Sequence, residues 1–170
     1  MRAAAPVPCA VALGANLGDA AATLRAAVAA LAALPGTRLL ACSALYRTAP
    51  VGPPGQPDYL NAAALLATGL DPEGLLDALQ AIERAHGRRR DGSRWGPRTL
   101  DLDLLTYGGL RYRSRRLEVP HPRIAERPFV LVPLAEIAPG LEIPGVGRVE
   151  ALRRRGGEAG ILERIGGQGA

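Results

Sequence analysis

The sequence predicts an α+β sandwich, a mainly antiparallel sheet with helices packed on it, in a single domain. Three observations carry that expectation. The chain has 170 residues, about one domain's worth at ~100–200 residues per domain. Hydrophobic residues make up 48% and charged residues 22%, a globular balance. Short apolar or alternating runs also interleave with stretches of helical period, in the order β-α-β-β-α-β.

Cys9 to Leu13 is an apolar run closed by Gly14 and reads as a buried strand. The turn Gly14-Ala15-Asn16-Leu17-Gly18-Asp19 follows, with Asp19 placed to cap a helix. Ala20 to Leu34 favours that helix, its Leu24, Val28 and Leu31 forming one stripe before Pro35-Gly36 stops it. Arg38 to Tyr46 reads as a second strand. Arg47 to Asp58 carries four prolines and two glycines, a long loop of the kind that binds ligands or closes over them. Tyr59 to Thr68 reads as a third strand, although its alanines suit a helix as well. Pro72 opens a helix that runs to about His86.

Arg88 to Arg98 is too charged for a core. Thr99 to Tyr107 alternates plainly, with Leu100, Leu102 and Leu104 facing one way and Asp101 and Asp103 the other. Beyond Gly108-Gly109 come a basic segment and the turn Val119-Pro120-His121-Pro122. An apolar run, Phe129 to Leu134, leads into a short helix near Leu134 to Ala138. Past about residue 156 the chain is glycine-rich, and a loosely held tail is expected there, within one domain spanning 1–170. This order suggests a ferredoxin-like sandwich with its helices on one face of the sheet.

The composition excludes several chemistries. The net charge is +5 and all 21 basic residues are arginines, so there is no Schiff-base or Walker-type lysine. Guanidinium forks suit phosphate and carboxylate. Cys9 and Cys42 make no CxxC pair and read as reduced core thiols. No apolar stretch reaches the ~20 residues of a membrane span, and Met1 to Cys9 lacks an apolar signal core. A cytoplasmic location is expected.

The strongest local signal is Arg94-Trp95-Gly96-Pro97-Arg98-Thr99-Leu100-Asp101-Leu102-Asp103. Residues two apart on a strand share a face at ~6.5–7 Å, so Asp101 and Asp103 present two carboxylates side by side. Such a pair is costly unless a cation sits there or one member takes a proton. Magnesium suits oxygen ligands, and two ions ~3.5–4 Å apart can share such a pair. A solvent-facing strand that happens to carry aspartates explains the same alternation. Arg88, Arg89, Arg90, Arg94 and Arg98 lie just before it. Carboxylates beside arginines are what a magnesium polyphosphate needs, while a solvated basic loop is the alternative. Tyr59 and Asn61 also share a strand face. With Trp95 and Phe129, the only tryptophan and phenylalanine, they offer rings for a flat heterocycle and an amide to read its edge; for Tyr59 or Phe129 alone, core packing is the simpler reading.

Several blocks combine: Ala12 to Gly18, Leu45 to Pro50, Gln56 to Ala63, Ile82-Glu83, Arg94 to Asp103, Val119 to Arg123 and Arg127 to Leu131. In this order they resemble the 6-hydroxymethyl-7,8-dihydropterin pyrophosphokinase family of folate biosynthesis, from about Val11 to Pro139. The resemblance implies a ferredoxin-like α/β/α sandwich. It implies transfer of pyrophosphate from ATP to the pterin's hydroxymethyl oxygen, with release of AMP. By the same resemblance Asp101 and Asp103 hold two Mg²⁺ ions, and Arg88 and Arg98 contact the phosphates in a closed state. Gly14, Thr48, Pro50, Tyr59, Asn61, Trp95 and Phe129 surround the pterin. Gln80, Glu83, Arg90, Arg94, Arg116, His121 and Arg127 match positions near ATP. Ala15, Ala49 and Pro122 depart from common family residues, which touches details of binding. The implied partners are small molecules, with no nucleic acid and no membrane, and the size fits a monomer of one domain. A basic RNA-binding module is the rival, but no RNP1-type aromatic run is present. A second rival, a phosphotransferase on the same scaffold, would release ADP instead of AMP.

Overall fold

A central strand buried along both faces needs a layer on each side of its sheet. β1 (Val7–Ala15) is such a strand, buried at every residue from Cys9 onward. The expectation of helices on one face is therefore corrected to helices on both. The computed structural model describes residues 5–50, 52, 54–86 and 99–166.

After β1 the side chain of Asp19 accepts the Ala22 amide at 3.1 Å and starts α1 (Ala20–Ala32). Then come β2 (Thr37–Cys42), β3 (Leu45–Thr48) and β4 (Tyr59–Thr68). Asp71 caps α2 (Pro72–Ala85), accepting the Gly74 amide at 2.7 Å. β5 (Asp101–Tyr107) is followed by a small hairpin, β6 (Tyr112–Arg113) and β7 (Glu118–Val119). A 3₁₀ turn at Ile124–Glu126 leads into α3 (Pro128–Ile137). A second hairpin, β8 (Glu142–Ile143) and β9 (Gly147–Arg148), precedes α4 (Val149–Gly156) and β10 (Ile161–Ile165).

The main sheet runs β10-β3-β4-β1-β5, with β2 also paired to β4, and every pairing is antiparallel. One face of β1 and β5, with Val11, Leu13, Leu102 and Leu104, packs on Leu24 and Leu31 of α1 and Leu75 and Leu79 of α2. The other face is lined by small residues, Ala10, Ala12 and Ala63, and packs on Leu131 and Leu134 of α3 and Leu152 of α4. Small side chains let α3 approach the sheet closely.

Three further elements differ from the sequence expectation. Arg38 to Tyr46 is not one strand, because the ladder breaks at Ser43 and Ala44. Ser43 Oγ accepts the Ala63 amide at 2.9 Å in place of a backbone carbonyl, and the Ala44 amide turns to Glu136. The apolar run Phe129 to Leu134 is helical: α3 starts six residues before the expected helix, because Pro128 opens it. Beyond Gly156, where a loose tail is expected, β10 pairs with β3. Gly160 O accepts the Ala49 amide at 2.8 Å, and Arg47 joins Glu163 at 3.2 Å and Asp58 at 2.7 Å. Both cysteines are free thiols. Burial pushes the Cys9 thiol up to about 12, and Cys42 is only half-buried.

Leu131 is fully buried between α3 and the sheet, whereas Leu40 on β2 is 46% exposed. Leu131→Ala is expected to cost about 2–5 kcal/mol in urea unfolding, and Leu40→Ala no more than about 0.5 kcal/mol. Equal losses would contradict the two-sided core.

Candidate active site

Directly paired residues of neighbouring strands point to the same face, so the sheet register assembles the site. Tyr46 pairs with Asn61, Asn61 with Gly14, and Gly14 with Asp101. One row thus crosses β3, β4, β1 and β5 on the face covered by α3. The next row carries Thr48 opposite Tyr59, and Asp103 lies opposite Ala12. Strands sit about 4.7–4.9 Å apart, so Asn61 and Asp101, two strands from each other, are separated by about 9–10 Å at the backbone. Gly14 between them supplies no side chain, so the row carries an amide on β4 and a carboxylate on β5 with only backbone on the strand between.

The absence of a Cβ at Gly14 is required. A Cβ there would lie 2.8 Å from Asn61 Oδ1, inside any real contact. Asn61 is 8% exposed, and its Nδ2 donates to Thr48 Oγ1 at 2.6 Å, which fixes the amide plane. Asn16, also buried, donates through Nδ2 to Pro57 O at 3.1 Å and Gln56 Oε1 at 3.3 Å. It ties the turn after β1 to the loop that leads into Tyr59. Pro50 lies in the segment between Thr48 and that loop, half-buried.

β5 is an edge strand, and two of its outward backbone groups are paired. Glu83 of α2, 2% exposed, accepts the Leu102 amide at 2.8 Å, between the two aspartates. On the same edge the His121 amide donates to Leu105 O at 2.8 Å. These bonds hold the half-buried Asp101 and Asp103 in place on the opposite face from the leucines. Phe129 stands at the start of α3 beneath the guanidinium of Arg127, 5.7 Å from its ring centroid.

Burial, with help from the Arg127 charge, pushes the His121 imidazole down to about 4, against an opposing pull from Asp101. Its Nδ1 accepts the Arg123 amide at 3.2 Å, so the proton of the neutral ring resides on Nε2. His121 is therefore a neutral hydrogen-bond donor at physiological pH. Gln80 and Arg116 stand apart from the row, on the outer side of α2. Arg116 reaches Gln80 Oε1 at 3.5 Å and Glu73 Oε1 at 3.3 Å and also pairs with Asp77. The expected Arg88, Arg90, Arg94, Trp95 and Arg98 lie outside the described residues.

Among the described residues Asp101 stands in this row and Asp103 lies two residues along the same strand face. Among the described residues no group of three or more His, Cys, Asp and Glu side chains gathers to hold a metal. The two neighbouring carboxylates of β5 suit magnesium, which is bound by one or two carboxylates plus substrate phosphates and water.

Residues 10–139 match the family model of 7,8-dihydro-6-hydroxymethylpterin-pyrophosphokinase (HPPK). The chain belongs to the HPPK family. It is 52% identical over 142 residues to the 2-amino-4-hydroxy-6-hydroxymethyldihydropteridine pyrophosphokinase of Methylorubrum extorquens, covering 84% of this chain and 89% of that one. The Pseudomonas aeruginosa protein of the same name is 52% identical over 134 residues, 79% of this chain and 82% of that one. Among solved structures, Plasmodium falciparum HPPK-DHPS with pteroate superposes with a TM-score of 0.70 over 91% of this chain at 12% identity. The chain spans only 43% of that larger protein, and at this identity the likeness speaks for the fold. All the candidate residues, Gly14 to Phe129, fall within the family match. No helix among the described residues is long and apolar enough to cross a membrane.

Asn16, Tyr46 and Glu136 brace this HPPK-family site yet carry no signal in the sequence that assigns them a role. Their partners lie 40 or 90 residues away, beyond any local period.

A folded-state His121 value below the ordinary one means folding favours the neutral ring. That stability is present above about pH 6.5 and is lost as pH falls toward about 4. Urea unfolding is expected to show wild type losing on the order of 2–3 kcal/mol more than His121→Asn between pH 7 and 4. Parallel losses would mean the ring is not held neutral by its surroundings.

Proposed function

We propose that the chain transfers the β,γ-pyrophosphoryl group of ATP to the hydroxymethyl oxygen of 6-hydroxymethyl-7,8-dihydropterin, releasing AMP in folate biosynthesis. The observation that carries the reading is the row that sets Asn61, Gly14 and Asp101 on three neighbouring strands, with Asp103 next to it, in an HPPK-family chain. An amide on β4 suits the polar edge of a flat heterocycle, and carboxylates on β5 suit a cation-bound polyphosphate.

In this reading the pterin ring lies between Tyr59 and Phe129, with Asn61 Oδ1 and the neighbourhood of Thr48 and Pro50 reading its edge. Gly14 stands beside Asn61 in this row, and Trp95 is assigned to the pterin because it lies within the family match. Asp101 and Asp103 would hold two Mg²⁺ ions, whose charge would offset that of the phosphate oxygens during transfer. The acceptor oxygen forms its bond to the β-phosphorus as the bridging bond to the α-phosphate breaks, and AMP leaves with the electron pair. The hydroxyl proton passes to solvent. Alignment of this kind supplies ~7–11 kcal/mol in favourable systems.

The nucleotide side falls to Gln80, Glu83, Arg90, Arg94, Arg116, His121 and Arg127. His121 brings a neutral Nε2–H donor. Arg116 is held in exposed ion pairs that are weak and exchangeable for phosphate. Glu83 acts here through its grip on the Leu102 backbone, between the two aspartates. Arg88 and Arg98 are assigned to phosphate charge that develops during transfer. We assign the single domain 1–170 a monomeric state and a cytoplasmic location.

Asp101→Asn and Asp103→Asn are each expected to lower kcat by at least about 10²–10³-fold, with AMP, not ADP, as the nucleotide product of wild type. ADP release would replace this reading by simple phosphoryl transfer, and near-normal magnesium-dependent turnover in either variant would end the metal role. Phe129→Ala is expected to weaken pterin binding about tenfold or more in calorimetry while ATP binding changes little. Equal losses for both ligands would contradict the ring clamp.

A further inference from the structure

α3 carries Phe129 and β3 carries Thr48, both assigned above to the acceptor, and one carboxylate joins the two elements. Glu136 of α3 accepts Tyr46 Oη–H through Oε1 at 2.5 Å and the Ala44 amide through Oε2 at 3.1 Å. Arg164 of β10 approaches the same carboxylate at 3.5 Å. Val132, one turn earlier on α3, packs with Ala44, Tyr46 and Ile161. Helix, sheet edge and C-terminal strand thus meet at one anchor.

Two paths lead from this anchor to the residues assigned to the acceptor. Phe129 lies seven residues before Glu136, about 10.5 Å back along the helix and on the same face. Tyr46 is 6% exposed and is the direct cross-strand partner of Asn61. Thr48, two residues further along β3, holds the Asn61 amide. A shift of α3 at Glu136 is therefore transmitted to the gap between Phe129 and the Tyr59–Asn61 strand. Burial and the Glu136 bond both push the Tyr46 phenol above its ordinary value, consistent with a hydroxyl that stays a donor.

We infer that Glu136 is a positioning residue for the acceptor substrate, fixing α3, and with it Phe129, against the strands that carry Thr48 and Asn61. The inference rests on the reaction proposed above. It also gives a task to Arg164, which lies beyond the residues of the family match.

Steady-state assays of AMP release test it, with ATP and hydroxymethyl-dihydropterin varied separately. Glu136→Ala is expected to raise KM for the pterin about fivefold or more and to leave KM for ATP within about twofold. Glu136→Gln keeps one carbonyl acceptor, for Tyr46, but sets an NH₂ where Oε2 accepts the Ala44 amide, and is expected to recover part of that loss. Tyr46→Phe removes one hydroxyl and is expected to move the pterin KM in the same direction, which keeps the test open if Glu136→Ala fails to fold. An unchanged pterin KM in folded Glu136→Ala or in Tyr46→Phe would overturn the inference, as would equal rises for both substrates. Absence of pterin-dependent AMP release in wild type would overturn the reaction itself, and the inference with it.

Discussion

Two carboxylates held side by side on one strand are the constraint on which this structure turns. Alternation along β5 sends Leu102 and Leu104 into the core under α1 and α2 and leaves Asp101 and Asp103 on the opposite face. Neither half can be changed alone. A one-residue slip would bury both charges and expose the leucines. β5 is an edge strand, so its register is also held from outside, by Glu83 on the Leu102 amide and by His121 on the Leu105 carbonyl. The strand that carries the pair is thus held by β1 on one side and by Glu83 and His121 on the other.

The rest of the site is arranged around that pair by strand register. Gly14 is the centre of the row and can only be glycine because the Asn61 amide occupies the space a Cβ would need. Small residues on β1 and β4 bring α3 down onto this face, and Phe129, in the first turn of α3, packs against it. The helices of the other layer do quieter work: they bury the leucines, and α2 carries Glu83 to the edge of β5.

Much of this was legible in the sequence because it depends on local periods. The alternation from Leu100 to Leu104 identified β5 and its acidic face, Asp19 and Pro72 marked helix starts, and Tyr59 to Thr68 proved to be a strand with the expected limits. What escaped depends on distant partners. The break at Ser43 exists because a serine hydroxyl replaces a ladder carbonyl and Glu136 captures the Ala44 amide. The run from Phe129 to Leu134 has no period that separates strand from helix, since nearly every residue is apolar. β10 was hidden by its glycine-rich flanks, and its pairing rests on β3, more than a hundred residues earlier. The row from Tyr46 to Asp101 needed the register of four strands, which no single segment encodes. The motifs that carry the family resemblance named its members without showing that they share a face.

The most direct test of the acidic pair is a crystal structure of the protein with magnesium, a non-hydrolysable ATP analogue and the pterin. The account predicts divalent ions between the analogue's phosphates and the carboxylates of Asp101 and Asp103, with the pterin hydroxymethyl group facing the β-phosphorus. Ions bound through other side chains, with both aspartates turned away from the nucleotide, would contradict it.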